Sequence, residues 1–225
     1  MTEANRAHWN KTYADKDETG VSWYQASPER SLSLIRSAAP DRATSIVDIG
    51  GGASRLVDAL SADGYSDLTV LDVSRVALDR SRARLGPRAG NVSWIVADIT
   101  EWQPPRTWDI WHDRAVFHFL IDARDQDAYI AALRRAAAPG ATVIMATFAL
   151  TGPERCSGLP VQRYSPATLV ARLGPDFALY AETAETHPTP FGTTQEFMYA
   201  AFRRRQGGLR PRARCGIAWR RLSGR

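Results

Sequence analysis

The pattern of hydrophobic and polar positions changes twice along the chain. Residues 4–40 carry two stretches with helical spacing. The first holds Trp9 and Tyr13, and the second follows Ser27-Pro28, which suit an N-cap and a first helical position. From residue 44, short β-rich runs alternate with helical stretches. The pattern predicts strands at 44–49, 67–72, 91–96, 107–112 and 140–148, and helices at 53–63, 75–84 and 124–137.

Strands separated by helices of this length form βαβ units, and therefore a parallel sheet with helices on both faces. After residue 150 the pattern changes again. Ser165-Pro166 predicts the start of a short helix, and 176–186 and 193–202 read as strands. The connection 187–192 holds two prolines and a glycine, which favours a hairpin over a helical crossover.

The sequence between residues 46 and 56 passes from a buried strand through Gly50-Gly51-Gly52 into a helix. Glycines at such a turn permit a sharp bend and let a ligand approach bare backbone. A dinucleotide fingerprint that began at Gly50 would need a small residue at position 55, where Arg55 stands. No Gly-Lys pair followed by Ser or Thr occurs, so the loop is not a P-loop either.

Three aspartates are expected at strand ends beside this loop: Asp48, Asp72 and Asp98. Because ligands of parallel sheets bind outside the carboxyl ends of the strands, the three acids should converge on one crevice. Asp72 could accept hydrogen bonds from ribose hydroxyls, and Asp98 with the backbone of Ile99 could face an adenine edge. The alternative for each aspartate is a helix cap.

Asp48-Ile49-Gly50-Gly51-Gly52, Leu71-Asp72-Val73-Ser74 and Val96-Ala97-Asp98-Ile99 occur in this order. The set resembles the motifs of class I S-adenosylmethionine-dependent methyltransferases, over roughly residues 5–202. The resemblance implies an α/β fold: a Rossmann-like, seven-stranded, mostly parallel sheet with helices on both faces and a C-terminal antiparallel hairpin. It implies S-adenosyl-L-methionine as the cofactor, with Gly50 and Gly52 beside the methionine moiety, Asp72 on the ribose diol, and Asp98 and Ile99 on the adenine. The full set of cofactor-binding residues expected from it is Asp48, Gly50, Gly51, Gly52, Asp72, Val73, Asp98, Ile99 and Asp113. Ser54 stands where the family pattern usually has a third glycine.

In this superfamily the end of the fourth strand faces the transferable methyl group. Asp113, Phe117 and His118 follow that strand here. A carboxylate or an aromatic ring suits the positive sulfonium, and a histidine can act as a general base near neutral pH. Asp113 and His118 are therefore the predicted catalytic residues. The alternatives are that Asp113 anchors Arg114 or caps a helix, and that Phe117 and His118 are structural.

The sequence leaves more than one acceptor open. Asp113-Arg114-Ala115 is similar to a segment of thiopurine-type thiol methyltransferases, whereas residues 8–13 resemble the N-terminus of lysine methyltransferases that act on elongation factor or citrate synthase. No Asn/Asp-Pro-Pro-Tyr/Phe segment follows the fourth strand and no Pro-Cys pair occurs, which disfavours nucleic acid as a partner. We expect a small-molecule acceptor, with nitrogen, sulfur and oxygen all open. The alternatives are a protein lysine and, in another class, a non-catalytic cofactor-binding regulatory or partner subunit.

Chain length and composition limit the number of domains and the classes of protein to consider. The 225 residues suit one α/β domain, and no apolar run is long enough for a membrane span. The polar N-terminus predicts no secretory signal, and two cysteines are too few for a disulfide framework or a Cys-based zinc site. We therefore expect a cytoplasmic protein without a metal site or membrane partner. Cys156 reads as a small buried residue rather than a soft-element ligand.

The net charge of +5 comes from the C-terminal end, where residues 203–225 hold nine arginines and no acids. The preceding residues hold 20 basic and 24 acidic side chains, so they carry a negative charge. These observations predict three parts: an N-terminal helical lid (1–40), a methyltransferase domain (41–202) and a basic, disordered tail (203–225). The lid would bring the aromatic residues Trp9, Tyr13, Trp23 and Tyr24 to the mouth of the site.

Overall fold

The computed structural model describes residues 3–206. The helices in this range are α1 (Glu3–Asp15), α2 (Glu29–Ala38), α3 (Leu56–Ala62), α4 (Arg75–Leu85), α5 (Ala123–Ala136) and α6 (Pro166–Leu173), with short 3-10 turns at Glu18–Gly20, Gly86–Asn91 and Phe117–Phe119. The strands are β1 (Ile46–Ile49), β2 (Leu68–Asp72), β3 (Val92–Val96), β4 (Trp108–Arg114), β5 (Ala137–Phe148), β6 (Arg155–Cys156), β7 (Leu159–Pro160), β8 (Phe177–Pro188) and β9 (Thr194–Arg204).

Seven of these strands form one sheet in the order β3-β2-β1-β4-β5-β9-β8. The first five are parallel, and β9 and β8 continue the sheet antiparallel. The predicted fold class, including the C-terminal hairpin, is confirmed. The strands β6 and β7 form a separate two-stranded hairpin.

The hydrophobic core lies on both faces of the sheet, which explains why the central strands read as nearly continuous apolar runs. Along β5, Val143 and Met145 join the cluster under α5 and α6, whereas Ile144 and Ala146 join the cluster under α2 and α3. Successive side chains of a strand point to opposite faces, so each strand contributes to both layers.

The strand order reverses beside β1, which pairs with β2 on one side and with β4 on the other. The chain leaves β1 towards α3 and leaves β4 towards the 3-10 turn at Phe117–Phe119. Loops that diverge at such a switch point leave a crevice at the carboxyl ends of the strands. The fold therefore places residues 50–55 and 115–119 on opposite walls of one opening.

Two predicted helix starts need correction. The helix α2 begins at Glu29 with Pro28, not Ser27, at the N-cap, and no side chain caps it. The Ser27 hydroxyl donates instead to the Glu29 side chain. The helix α3 begins at Leu56 rather than at position 53, because a turn closed by a hydrogen bond from the Ser54 amide to the Gly51 carbonyl comes first.

The C-terminal hairpin extends slightly further than the predicted strands. β9 continues through Arg204, and Arg203 pairs with Thr142 of β5, so two residues assigned to the tail belong to the sheet. Residues 207–225 lie outside the described residues, and the predicted disordered tail stays a prediction there. Among residues 3–206, no helix has the length and apolarity that a membrane crossing requires.

Candidate functional site

A cavity of about 1280 Å³, its open mouth included, lies at the carboxyl ends of β1, β2 and β4. Its wall combines the glycine loop, the ends of these strands and the N-terminal segment. The residues that line it include Trp9, Tyr13, Glu18, Trp23, Tyr24, Ser31, Asp48, Gly50, Gly51, Arg55, Asp72, Val73, Ala97, Ile99, His112, Arg114, Val116, Phe119, Cys156 and Phe197.

The glycine loop runs so close to two carboxylates that it has no room for side chains. A Cβ atom on Gly51 would lie 2.4 Å from Asp48 Oδ2, and one on Gly52 would lie 2.6 Å from Asp72 Oδ2. Gly50 has a φ of +66° and a Cβ there would lie 2.0 Å from Val116 Cγ2. These contacts are far below van der Waals separation, so only glycine lets bare backbone pass along the cavity wall.

Asp72 lies at the end of β2 and lines the cavity. Its Oδ1 atom accepts a hydrogen bond from the Ser74 amide at 2.7 Å. The N-cap of α4 is Ser74, whose hydroxyl accepts from the Ala77 amide, so Asp72 is not the cap of that helix. Burial raises the pKa of the Asp72 carboxyl to about 7, partly offset by backbone N–H donors.

The third predicted aspartate is placed differently. Asp98 is buried and accepts hydrogen bonds from the Thr100 amide and hydroxyl at 2.9 and 2.7 Å, which fix the turn after β3. Asp98 is not among the residues that line the cavity, whereas its neighbours Ala97 and Ile99 are. The backbone and apolar surface of this turn, rather than the aspartate, therefore form the wall.

Asp48 forms a polar chain that the sequence did not reveal. Its Oδ1 lies 2.7 Å from His112 Nδ1, and His112 Nε2 lies 2.9 Å from the Ser31 hydroxyl. The parallel register sets Asp48 directly beside His112 on neighbouring strands. In the sequence, both residues lie near the ends of predicted strands. The sequence does not show that these strands are neighbours in a register that pairs Asp48 with His112.

The predicted catalytic residues do not face the cavity. Asp113 is fully buried, and its carboxylate accepts from the Val116 and Phe117 amides at 2.8 and 3.1 Å and from the Tyr129 hydroxyl at 2.5 Å. It thus holds the backbone that leads into the 3-10 turn after β4, whose N-cap is Val116 without a side-chain cap. Burial raises its pKa to about 6.

His118 is likewise fully buried and absent from the cavity wall. Its Nδ1 accepts from the Phe148 amide at 3.3 Å, and its ring packs against Phe148 and Phe119. Burial lowers the pKa of the imidazole to about 3, which keeps it neutral. Phe117 is also fully buried in the core. Neither Asp113 nor His118 is among the residues that line the cavity.

The N-terminal segment covers the cavity with aromatic rings. The Trp9 ring lies 5.7 Å from that of Trp23 and 5.1 Å from that of Phe119, and Tyr13 completes the cluster. Glu18 fastens this segment to the core, because its carboxylate pairs with Arg55 at 2.9 Å and with Arg84. Arg55, which is too large for a dinucleotide fingerprint, is thus one of the residues that anchor the cover.

Cys156 of the β6–β7 hairpin also lines the cavity, where it is 5% exposed. Burial raises the pKa of its thiol to about 11, so the group stays protonated at neutral pH. A protonated thiol is a weak metal ligand and nucleophile, which agrees with the reading of Cys156 as a small buried residue.

Comparison with known proteins assigns the family. Residues 46–140 match a family model described as a methyltransferase domain. The N-methyltransferase NodS from Bradyrhizobium japonicum, solved in complex with S-adenosyl-L-homocysteine, superposes with a TM-score of 0.68 at 20% identity, covering 89% of this chain and 98% of NodS. These matches support membership of the class I S-adenosylmethionine-dependent methyltransferase superfamily.

Two curated relatives each match about half of this chain. Nodulation protein S of Rhizobium tropici is 28% identical over 111 residues, which is 49% of this chain and 46% of that protein. The mouse eEF1A lysine and N-terminal methyltransferase is 26% identical over 123 residues, or 55% of this chain but 16% of the mouse protein. The chain therefore spans less than half the length of the curated relatives it matches.

The expected superfamily and its cofactor are confirmed. The cavity fits S-adenosylmethionine: Gly50 and Gly51 offer bare backbone, Asp72 offers a carboxylate for a diol, and Ala97 with Ile99 offers an apolar wall for a ring. Individual contacts of the methyltransferase with the cofactor remain predictions for Asp48, Gly50, Gly51, Gly52, Asp72, Val73, Asp98 and Ile99. The contact predicted for Asp113 also stays a prediction; its side chain is buried and is not among the residues that line the cavity.

Replacing Gly52 tests how closely the loop and Asp72 depend on each other. In Gly52→Ala the new Cβ displaces the Asp72 carboxylate, and the loss of a hydrogen bond to a charged group should weaken S-adenosylhomocysteine binding by about tenfold or more. The measurement is calorimetric titration, after the melting curve has shown that the variant folds. Gly90→Ala is the matched control, because a Cβ there meets nothing within 4 Å. Unchanged affinity in Gly52→Ala would contradict the assignment.

The raised pKa of Asp72 predicts a pH dependence of ligand affinity. The carboxylate is the form that accepts hydrogen bonds from a diol, so affinity should rise as pH increases through about 7. The Kd of S-adenosylhomocysteine should be about tenfold larger at pH 6 than at pH 8 if only the ionised form binds.

Asp72→Asn serves as the control for this profile, since the amide does not titrate. We expect weaker binding with little change between pH 6 and pH 8. A wild-type profile as flat as that of the variant would show that Asp72 does not hold the ligand.

Proposed function

We propose that this protein transfers a methyl group from S-adenosylmethionine to a small-molecule acceptor. The observation that carries the proposal is the shared cavity, which is lined both by Gly50, Gly51 and Asp72 and by aromatic rings of the N-terminal segment. S-adenosylmethionine supplies a methyl group on a positively charged sulfur, from which an acceptor takes it by in-line displacement.

The roles of the chain's own residues follow from their positions. The bare backbone of the glycine loop and the Asp72 carboxylate bind and orient the cofactor. The rings of Trp9, Trp23 and Phe119 exclude water from the shared space, and aromatic faces also favour a neighbouring positive charge. Excluding water and fixing the approach of the acceptor provide most of what an in-line transfer requires.

Asp113 acts as a positioning residue in this proposal. Its carboxylate fixes the amides of Val116 and Phe117, and Val116 lies against the bare Cα of Gly50. The strand end therefore sets the width of the cavity beside the glycine loop. No proton transfer is assigned to Asp113 or His118.

We assign the role of lid to residues 1–40 and that of the methyltransferase domain to residues 41–202. The assignment is supported by the contacts of Glu18 with Arg55 and Arg84, which attach the aromatic cover to the glycine-loop side. A cytoplasmic location is part of the proposal, because the two cysteines do not suit a disulfide-stabilised protein.

A protein lysine is the second candidate acceptor. The match to the mouse eEF1A lysine and N-terminal methyltransferase favours it, whereas the match to nodulation protein S and the covered cavity favour a small molecule. A non-catalytic cofactor-binding role would leave the cavity without turnover. The accepting atom, whether nitrogen, sulfur or oxygen, is left open.

A labelled-methyl assay separates the three possibilities. The protein is incubated with radiolabelled S-adenosylmethionine and, in parallel, with a filtered metabolite extract or with a dialysed protein lysate. We expect label in the small-molecule fraction only. Label in protein lysines would select the second candidate, and tight cofactor binding without any transfer would select the non-catalytic role.

A further inference from the structure

The part of the cavity beyond the end of β4 is here called the acceptor pocket. It contains one basic side chain among aromatic residues. Its lining residues are Trp9, Trp23, Arg114, Phe119, Cys156 and Phe197. Nothing in the sequence pattern singled out Arg114 as a binding residue. A role for Arg114 in binding the acceptor rests on the proposed function, since it concerns the same site.

Arg114 is the last residue of β4, and its side chain is 10% exposed. Its Nε donates to the Tyr199 hydroxyl at 3.0 Å and its Nη1 donates to the Trp23 carbonyl at 3.3 Å. The guanidinium carbon lies 4.3 Å from the centre of the Phe197 ring. These contacts hold the guanidinium plane in a fixed orientation in the pocket wall.

The charge of Arg114 is incompletely compensated. Among the described residues, its Nη2 atom is buried without a hydrogen-bond partner, and the carboxylate of Glu185 stays 3.9 Å away. An ion pair at that separation leaves the guanidinium without a charged hydrogen bond, although nine tenths of the side chain is removed from water.

The other charged residues that line the cavity have close partners. Glu18 pairs with Arg55 at 2.9 Å, and Asp48 contacts His112 at 2.7 Å. Asp72 is supported by the Ser74 amide on the cofactor side. Arg55 also has a buried Nε without a hydrogen-bond partner among the described residues, but its Nη2 pairs with Glu18. Arg114 is therefore the arginine of this wall that lacks a close carboxylate and that a ligand carboxylate is best placed to balance.

The positive charge of Arg114 also affects the pKa values of two nearby groups, Cys156 and His118. Burial is the main effect on the Cys156 thiol and raises its pKa, and the positive charge of Arg114 opposes that rise. The same charge adds to burial in lowering the pKa of His118. The positive charge of Arg114 thus acts on Cys156 and His118, and Glu185 opposes it at His187.

We propose that Arg114 makes the acceptor pocket selective for a small acceptor that carries a carboxylate. The carboxylate balances the guanidinium, whose planar donors match its geometry, while the apolar body of the acceptor packs among Trp9, Trp23 and Phe119. A lysine ammonium entering the same pocket meets a like charge in a region of low exposure, so the pocket selects against a protein-lysine acceptor.

Three probes of one shape and different charge test the proposal. Wild-type protein saturated with S-adenosylhomocysteine is titrated calorimetrically at pH 7.5 with benzoate, benzamide and benzylammonium. We expect benzoate to bind about tenfold more tightly than benzamide, as befits a charged hydrogen bond, and benzylammonium to bind most weakly.

Two variants with opposite expected effects distinguish binding through the charge of Arg114 from a purely structural role of its side chain. Arg114→Gln should abolish the preference for benzoate over benzamide. Glu185→Gln removes the competing carboxylate and should strengthen benzoate binding severalfold, an effect that a merely structural arginine does not produce. Arg134→Gln is the matched control, because Arg134 pairs with Asp176 outside the cavity and should keep the wild-type preference.

The titrations distinguish failure of the proposed function from failure of the role proposed for Arg114. Failure of the wild type to bind S-adenosylhomocysteine would refute the methyltransferase proposal and this one with it. Binding of S-adenosylhomocysteine together with equal affinities for benzoate and benzamide, or no detectable benzoate binding, would overturn only the role of Arg114. Tightest binding of benzylammonium would overturn it in favour of a lysine acceptor. If Arg114→Gln does not fold, the wild-type series and Glu185→Gln still decide.

Discussion

The close approach of Gly51 and Gly52 to two buried carboxylates is the constraint on which the site depends. Gly51 lies against Asp48, and Gly52 lies against Asp72, at distances that no Cβ atom can occupy. The loop can therefore bring bare backbone into the cavity while the two acids remain at the ends of β1 and β2. A side chain at Gly51 or Gly52 would displace a carboxylate, so the backbone path and the positions of the two acids are fixed together.

A buried carboxylate, that of Asp113, also fixes the backbone of the cavity wall opposite the glycine loop. Its carboxylate satisfies two amides of the turn after β4 and one tyrosine hydroxyl, which leaves the turn rigid next to the glycine loop. The aromatic cover closes over both walls and is attached through Glu18. Charged hydrogen bonds thus hold the turn after β4 and attach the aromatic cover to Arg55 and Arg84. The cavity is apolar where the aromatic rings of the cover meet.

Much of the fold and part of the cavity lining could be predicted from the sequence, because their signals are local. Buried strands, the glycine run and acids at strand ends each appear within a few residues, and β1 to β3 begin and end within two residues of the predicted limits. The choice between a catalytic and a structural role for Asp113 and His118 could not be made from the sequence, since it depends on the turn after β4, which buries both side chains. Likewise His112 and Arg114 acquire their partners through strand register and through contacts with β8, β9 and the N-terminal segment.

The glycine loop and Asp72 together should form a site for S-adenosylmethionine in this chain, and every other role assigned to the cavity depends on that site. The most direct measurement is a calorimetric titration of the purified protein with S-adenosylhomocysteine, with NAD as the control ligand. We predict saturable binding of one S-adenosylhomocysteine per chain and no binding of NAD. Binding of NAD instead, or of neither ligand by folded protein, would contradict this assignment.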